Sequence, residues 1–381
     1  MDGDGSLVLD FGSSSVKAGW SGEDTPRSIF PSVISDKVKD FDKALEIRRL
    51  ESLESCVTSV DTISHSVVPL THPIQRGKIT DWTAMEKLIE HTFSVELDAF
   101  PESLSSAVLI CESPGATKAE REQLCHVLFE GFKVSGICFA NSSVLSLFAS
   151  GRTRGIVLEC GAGVSYTTPI FDGFALPHAV LKLEAGGEDV TRRLQHLLKT
   201  NEKTGKDLTF LQTRGIKHQL AFCAPIAGSA FARDDSVYEL PDGTTITIPG
   251  TDASACVDFL FDPDDANIPN LDGGYSSMLL KSIEMCDSDL QPDLFNNVVL
   301  AGGTSMIAGL GERIKNELQS EAGDNHLGII ANEPGYNAQK KHAPWIGGSI
   351  FASLDTFEKA VVTKQEYEDA GSTSIVHRKC V

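Results

Sequence analysis

A short β-type run, Leu7-Val8-Leu9, ends on an acid, Asp10. The compact turn Gly12-Ser13-Ser14-Ser15 follows, and Val16-Lys17 starts a return run to Trp20. The pattern predicts a β-hairpin with an anionic end and a lysine on its second strand. It recurs over Ile156–Tyr166, as strand, acid (Glu159), the turn Gly161-Ala162-Gly163, and strand, with Glu159 149 residues after Asp10. Self-similarity at this scale predicts a duplicated domain, not an array of short repeats. Two such halves would face each other across a cleft.

After each hairpin, strands alternate with helical periodicity. In the first half, Met85, Leu88, Ile89 and Phe93 form a stripe at helical spacing over 78–97, capped by Asp81 or Thr83. A buried strand is expected over 107–110, a helix over 118–132, a strand near 136–140 and a helix over 142–149. In the second half, a strand is expected over 177–183, a helix over 188–198 behind Gly186-Gly187, and a helical stretch over 209–222. A hairpin follows over 237–248 around Pro241-Asp242-Gly243, then a helix over 275–286. Last comes a strand over 298–300 that runs into Gly302-Gly303-Thr304, with a helix behind it ending near Leu318. The order predicts an α/β protein with mixed sheets. Residues 35–72, charged and then rich in Ser and Thr, read as a peripheral insertion.

The chain has 381 residues, enough for two cored domains. Its formal net charge of −20 argues against direct nucleic-acid binding and disfavours anionic membrane surfaces. No apolar run approaches a membrane span, and the acidic start MDGDGS lacks the regions of a signal peptide. Nine scattered cysteines, none paired at metal-ligand spacing, are expected to be reduced thiols in a cytoplasmic protein.

The twin turns carry the chemistry. Small residues let backbone N–H groups approach a phosphate, a lysine reaches it as a point charge, and an acid beside it holds a metal through water. One such hairpin is also an ordinary structural hairpin. Two of them facing each other would clamp a phosphate chain with its metal, and Gly302-Gly303 would let a base and ribose pack against backbone, with a helix N-terminus behind.

Over almost its full length the chain resembles the actin family. The resemblance is carried by Lys17-Ala18-Gly19, Phe30-Pro31-Ser32, Met85-Glu86-Lys87, VLSLFASGRT (144–153), GFALPHA (173–179), YELPDG (238–243), AGGTSM (301–306), WIGGSIFASL (345–354) and SIVHRKC (374–380). It implies a duplicated actin/hexokinase-type fold with a cleft holding ATP or ADP and Mg2+ or Ca2+. The smaller outer domain would comprise 1–149 plus 343–381, with the divergent insertion at 35–72, and the larger inner domain 150–342.

Carried over by residue, Asp10 and Glu159 match the metal-associated acids. Gly12, Ser13, Ser14 and Lys17 match the first phosphate loop, Ser14 replacing a glycine and Phe11 an asparagine. Gly161 and Gly163 match the second loop. Gly187, Arg214, Lys217, Gly302, Gly303, Met306 and Lys341 match positions around the adenosine. His218 replaces a glutamate that contacts the ribose, and Ile307 a tyrosine by the base. Departures gather where the chemistry would be. Ser142 stands for a water-positioning glutamine, Glu159 for an aspartate, Ala162 for an aspartate and Tyr166 for a histidine that orients the attacking water.

Phosphoryl transfer rests on positioning, so these changes imply weak or absent hydrolysis. The expected protein is a divergent actin-like cytoskeletal subunit in the cytoplasm, with ATP mainly a structural ligand. Its implied partners are actin or actin-like subunits and actin-binding proteins, docking at a groove that includes Gly151, Tyr166-Thr167, Ile350 and Leu354. The acidic loop 262–270 stands where actins carry an apolar plug, which makes an actin-type homopolymer doubtful. The alternatives are a conventional ATP-hydrolysing filament former, a nuclear chromatin-complex subunit, and a small-molecule kinase lacking a clear acceptor base.

Overall fold

A computed structural model describes residues 5–34, 70–100, 106–201, 204, 207–226, 233–240, 242–262, 273–321, 328–330, 336–371, 377 and 379. Most of the 35–72 insertion, the loop after Asp262, Pro241, nearly all of the tail after Gly371, and Cys56 and Cys380 lie outside these residues.

The strands are β1 (Leu7–Phe11), β2 (Ser15–Trp20), β3 (Ser28–Pro31), β4 (Ile74–Gln75), β5 (Lys78–Ile79), β6 (Val108–Glu112), β7 (Gly136–Asn141), β8 (Gly155–Cys160), β9 (Ser165–Phe171), β10 (Phe174–Ala175), β11 (Leu181–Leu183), β12 (Ser236–Glu239), β13 (Thr245–Ile248), β14 (Val298–Ala301), β15 (Ile329–Ile330) and β16 (Val362–Thr363). The helices are α1 (Trp82–His91), α2 (Lys118–His126), α3 (Ser142–Ala149), α4 (Gly187–Thr200), α5 (Phe210–Leu220), α6 (Gly250–Asp258), α7 (Tyr275–Glu284), α8 (Gln291–Asn296), α9 (Leu310–Glu321), α10 (Ala343–Ala352) and α11 (Lys364–Ala370).

The duplication is visible strand by strand. One sheet runs β7-β6-β1-β2-β3 and the other β15-β14-β8-β9-β11. In each, the hairpin and its outer neighbour are antiparallel and the next two strands are parallel. Both hairpin turns close alike: Gly12 N donates to Ser15 O (3.2 Å) and Gly161 N to Val164 O (3.0 Å). The register pairs Asp10 with Lys17 and Glu159 with Tyr166. Tyr166 therefore occupies in the second half the place of Lys17 in the first.

Central strands explain the unbroken apolar runs. Leu7 and Leu9 pack with Met85, Leu88 and Val108 on one face of their sheet, while Val8 packs with Trp345 and Leu109 on the other. A strand covered on both faces reads as a continuous apolar string. The second cover is α10, near the far end of the chain. Trp345 Nε1 donates to Val8 O (2.9 Å), and β16 adds antiparallel to β7. α10 crosses α3 closely enough that a Cβ at Gly347 would stand 1.8 Å from Leu145 O, so only glycine fits.

Local rules place the helices. Asp81 accepts from Ala84 N at the start of α1, and Thr117 with Glu120 forms a capping box on α2. Two local expectations are revised. Residues 177–183 are a 3-10 turn at Pro177–Ala179 and then β11, because proline starts a turn and has no N–H for the ladder. The second glycine after β14 opens a 3-10 turn, Gly303–Met306, and α9 begins only at Leu310, so no α-helix N-terminus stands directly behind the glycines. The sequence reading did not anticipate α6, α8, α10 and α11. No helix among the described residues is long and apolar enough to cross a membrane. The seven described cysteines are buried and unbridged.

Candidate functional site

The first turn is tight by construction. A Cβ at Gly12 would lie 2.9 Å from Ser15 O and 3.3 Å from Lys17 Nζ. Lys17 Nζ sits 3.0 Å from Asp10 Oδ2 across the hairpin, and Ser32 Oγ donates to Gly12 O (2.6 Å). Ser14 is fixed by its carbonyl, which accepts from Ser32 N (3.1 Å).

The two turns meet. The Cβ position of Gly163 is 3.2 Å from Ser13 Oγ, and Ser13 Oγ accepts from Gly77 N (3.1 Å). Arg76-Gly77 is the tip of the β4–β5 hairpin, with φ of +51° and +72°, the left-handed pair that a type I′ two-residue turn requires. From this tip Arg76 donates to Gly163 O (2.9 Å) and engages Asp189 of α4 bidentately, with Nη2–Oδ1 at 2.6 Å. Its guanidinium pKa is raised, chiefly by the Asp189 hydrogen bond. The Arg76 tip thus ties the first half of the chain to the second turn and to α4.

In the second hairpin, Glu159 is engaged. Ser142 Oγ and Ser143 Oγ, in the first turn of α3, both donate to Glu159 Oε2 (2.8 and 2.9 Å). Asn141 caps that helix and aims the two serines. Desolvation raises the Glu159 pKa, the two hydroxyls lower it, and the Asp10 charge raises it. Tyr166 opposite is buried, and its ring fills the space against the β6–α2 turn. A Cβ at Gly115 would stand 2.2 Å from Tyr166 Oη. Burial raises the phenol pKa, with Ser113 partly offsetting it.

The second turn is held from behind. Gly161 O accepts from Gly187 N (3.0 Å) and Thr304 Oγ1 (2.7 Å), and Ala162 O accepts from Glu188 N (2.8 Å). Lys217 Nζ donates to Gly187 O (2.9 Å). Gly302 has φ +86° and donates to Lys340 O (2.8 Å), and a Cβ there would lie 2.4 Å from Cys160 O. Beside it, a Cβ at Gly303 would meet nothing within 4 Å, so this backbone faces open space. Met306 is half-exposed and Lys341 exposed.

Cations converge on this wall. Desolvation lowers the Lys217 pKa to about 8, with Arg214 adding to the fall. The His218 pKa is lowered by desolvation and then by Lys217, Arg214 and Lys341. His218 is exposed to solvent.

Several of the expected residues therefore fall into one linked constellation. Hydrogen bonds join Gly161, Gly187 and Lys217; the Ser13–Gly163 approach joins the first turn; electrostatics join Arg214 and Lys341. The sequence reading missed Arg76, Asp189 and Ser143, and named Thr304 only as part of the turn after β14. Arg76-Gly77 between Ile74-Gln75 and Lys78-Ile79 carries a tight-turn signal, though its distant partner carries none.

For a nucleotide, the cradled glycine turns, the open backbone at Gly303 and the convergent cations fit. For a metal, no group of three or more His, Cys, Asp or Glu side chains among the described residues forms a site by itself. A divalent cation would reach Asp10 and Glu159 only with phosphate oxygens and water completing its shell. A family model described as Actin matches residues 1–221 and 206–381 of the chain.

Proposed function

The chain belongs to the actin family, and on that premise we propose that it holds ATP or ADP, with Mg2+ or Ca2+, chiefly as a structural ligand. It serves as a filament or complex subunit and hydrolyses ATP slowly or not at all. Gly12, Ser13, Ser14 and Lys17, with Gly161 and Gly163, receive the phosphates. Gly187, Arg214, Lys217, Gly302, Gly303, Met306 and Lys341 line the nucleoside end, and Asp10 and Glu159 face the cation through water. The bound nucleotide supplies a polyanion between the two turns. By mass action it stabilises the fold by about 2.7 kcal/mol at ~100-fold above its Kd.

One observation carries the reading of weak hydrolysis. Glu159 is engaged by Ser142 and Ser143 on one oxygen, and neither short side chain extends past it to orient a water. Tyr166 packs its ring into the adjoining space. Removal of water positioning costs orders of magnitude where chemistry depends on alignment.

On the same reading, residues 1–149 with 343–381 and residues 150–342 are the two domains. The partners are actin or actin-like subunits and actin-binding proteins, and the setting is the cytoplasmic cytoskeleton. The test is the nucleotide that co-purifies, identified by chromatography after denaturing fresh protein. Intact ATP that persists for hours with magnesium is expected. ADP accumulating in single turnover at rates like those of filament-forming actins would overturn the hydrolysis reading, and an empty cleft the nucleotide reading.

A further inference from the structure

The outer face of α4 carries arginines without partners. Val190, Thr191, Leu194 and Leu198 turn inward, and Arg192, His196 and Lys199 stand at i, i+4 and i+7 on the exposed side. Arg193 flanks them, half-buried. Among the described residues neither Arg192 nor Arg193 has a hydrogen bond or ion pair, and Arg193 Nε is buried unpaired. Lys199 pairs at the surface with Asp207 at 3.0 Å.

Local chemistry does not account for the two arginines. Glu188 and Asp189 precede them by four residues, the order that favours a helix ion pair. Asp189 instead gives both oxygens to Arg76, and one of them also to Gly186 N. The helix dipole favours cations only in the last turn, which covers Lys199 but not Arg192 and Arg193. From Val190 to Thr200 there is no acid, in a chain with 53 Asp and Glu against 33 Lys and Arg. Neither arginine is among the residues assigned to the nucleotide.

We propose that this face of α4 docks a short acidic segment of a partner protein, an extended run of Asp and Glu whose carboxylates pair with Arg192 and Arg193. A guanidinium receives a carboxylate bidentately. Half-buried, Arg193 has less side-chain freedom to lose on binding. From residue 192 to 199 the helix rises about 10 Å, the span of roughly three extended residues. Net charge selects the occupant. At about 0.15 M salt, fields decay over ~8 Å, so a short segment feels the patch alone. A nucleic acid or an anionic membrane extends over the rest of a chain whose net charge is −20.

The test is fluorescence anisotropy on the full chain with a labelled hexaglutamate peptide, at about 0.05 and 0.15 M salt. Hexaglutamate should bind, more weakly at the higher salt, and hexaglutamine should not. Arg192→Glu, at an exposed position, should weaken binding by about tenfold, the equivalent of one lost charge-assisted hydrogen bond. Arg193→Gln should weaken it as well, and thermal unfolding of the Arg192 variant should match that of the parent. Arg192→Lys keeps the charge without the planar fork and should fall between. Lys315→Glu, at an exposed cation on α9, makes the same change in net charge and should have no effect. Absence of hexaglutamate binding, an equal loss in Lys315→Glu, or tighter Arg192-dependent binding of RNA or phosphatidylserine vesicles overturns the proposal.

Discussion

Arg76→Ala removes the ion pair and hydrogen bond with which the β4–β5 tip grips the second turn and α4. Two unit charges about 4 Å apart attract by ~1 kcal/mol in water and ~4 kcal/mol at an effective dielectric of 20. The Arg76 side chain is 35% exposed and that of Asp189 17%, so screening and the entropy of holding the arginine take much of this. The bidentate geometry and the added bond to Gly163 O work the other way. The net expectation is about 1–2 kcal/mol of local stability, a factor of roughly 5–30 in the opening equilibrium.

The reporter is the Gly77 amide, which donates to Ser13 Oγ and is freed when the tip lifts. Hydrogen exchange of a peptide spanning 74–79, read by mass spectrometry, should accelerate by that factor. Asp189→Asn completes a double-mutant cycle. It removes the charge but keeps an oxygen to accept from Gly186 N, as Asp189 Oδ2 does. Arg76→Ala should then have much less effect in the Asn background. An undiminished effect there, or unchanged exchange in the single variant, would refute the assignment of this pair as the tie.

Two further perturbations follow from the same geometry. Gly115→Ala drives a Cβ to within 2.2 Å of the buried Tyr166 hydroxyl and should cost about 1–3 kcal/mol by overpacking; Tyr166→Phe in that background should restore part of it, and strictly additive thermal-unfolding losses would refute the clash. Lys217 has its pKa depressed to about 8 by burial and by Arg214, so its cationic form opposes folding. The penalty is present in full below pH 8 and is relieved as pH rises toward the ordinary lysine value. Ligand-free stability should therefore rise over pH 8–10, and Lys217→Gln should flatten that rise in denaturant titrations.

Much of the site is legible in the chain because it is built from local rules. At both places a β run ending near an acid and followed by small residues forms a hairpin, and Asp10 and Glu159 stand one residue before the ends of their strands. The Asp81 cap and the Met85, Leu88 and Ile89 stripe are likewise short-range, and α1 forms on them. The expectation of a helix directly behind Gly302-Gly303 fails because a 3-10 turn and a loop intervene. Nothing in that stretch's apolar period distinguishes the two.

The chain alone determined that there are two halves and that each presents an acid and a compact turn. These are matters of composition and spacing between near neighbours, which short-range sterics and hydrogen bonding convert directly into structure. Tertiary structure decided what those groups do to one another. Glu159 is drawn to Ser142 and Ser143 because α3 starts beside β8, and Arg76 meets Asp189 across 113 residues because the β4–β5 tip lands between the two turns. Trp345 closes the sheet over Val8 from 337 residues away. Such contacts join segments whose separation along the chain carries no local signal. They arise only when burial of the two sheets brings their edges together.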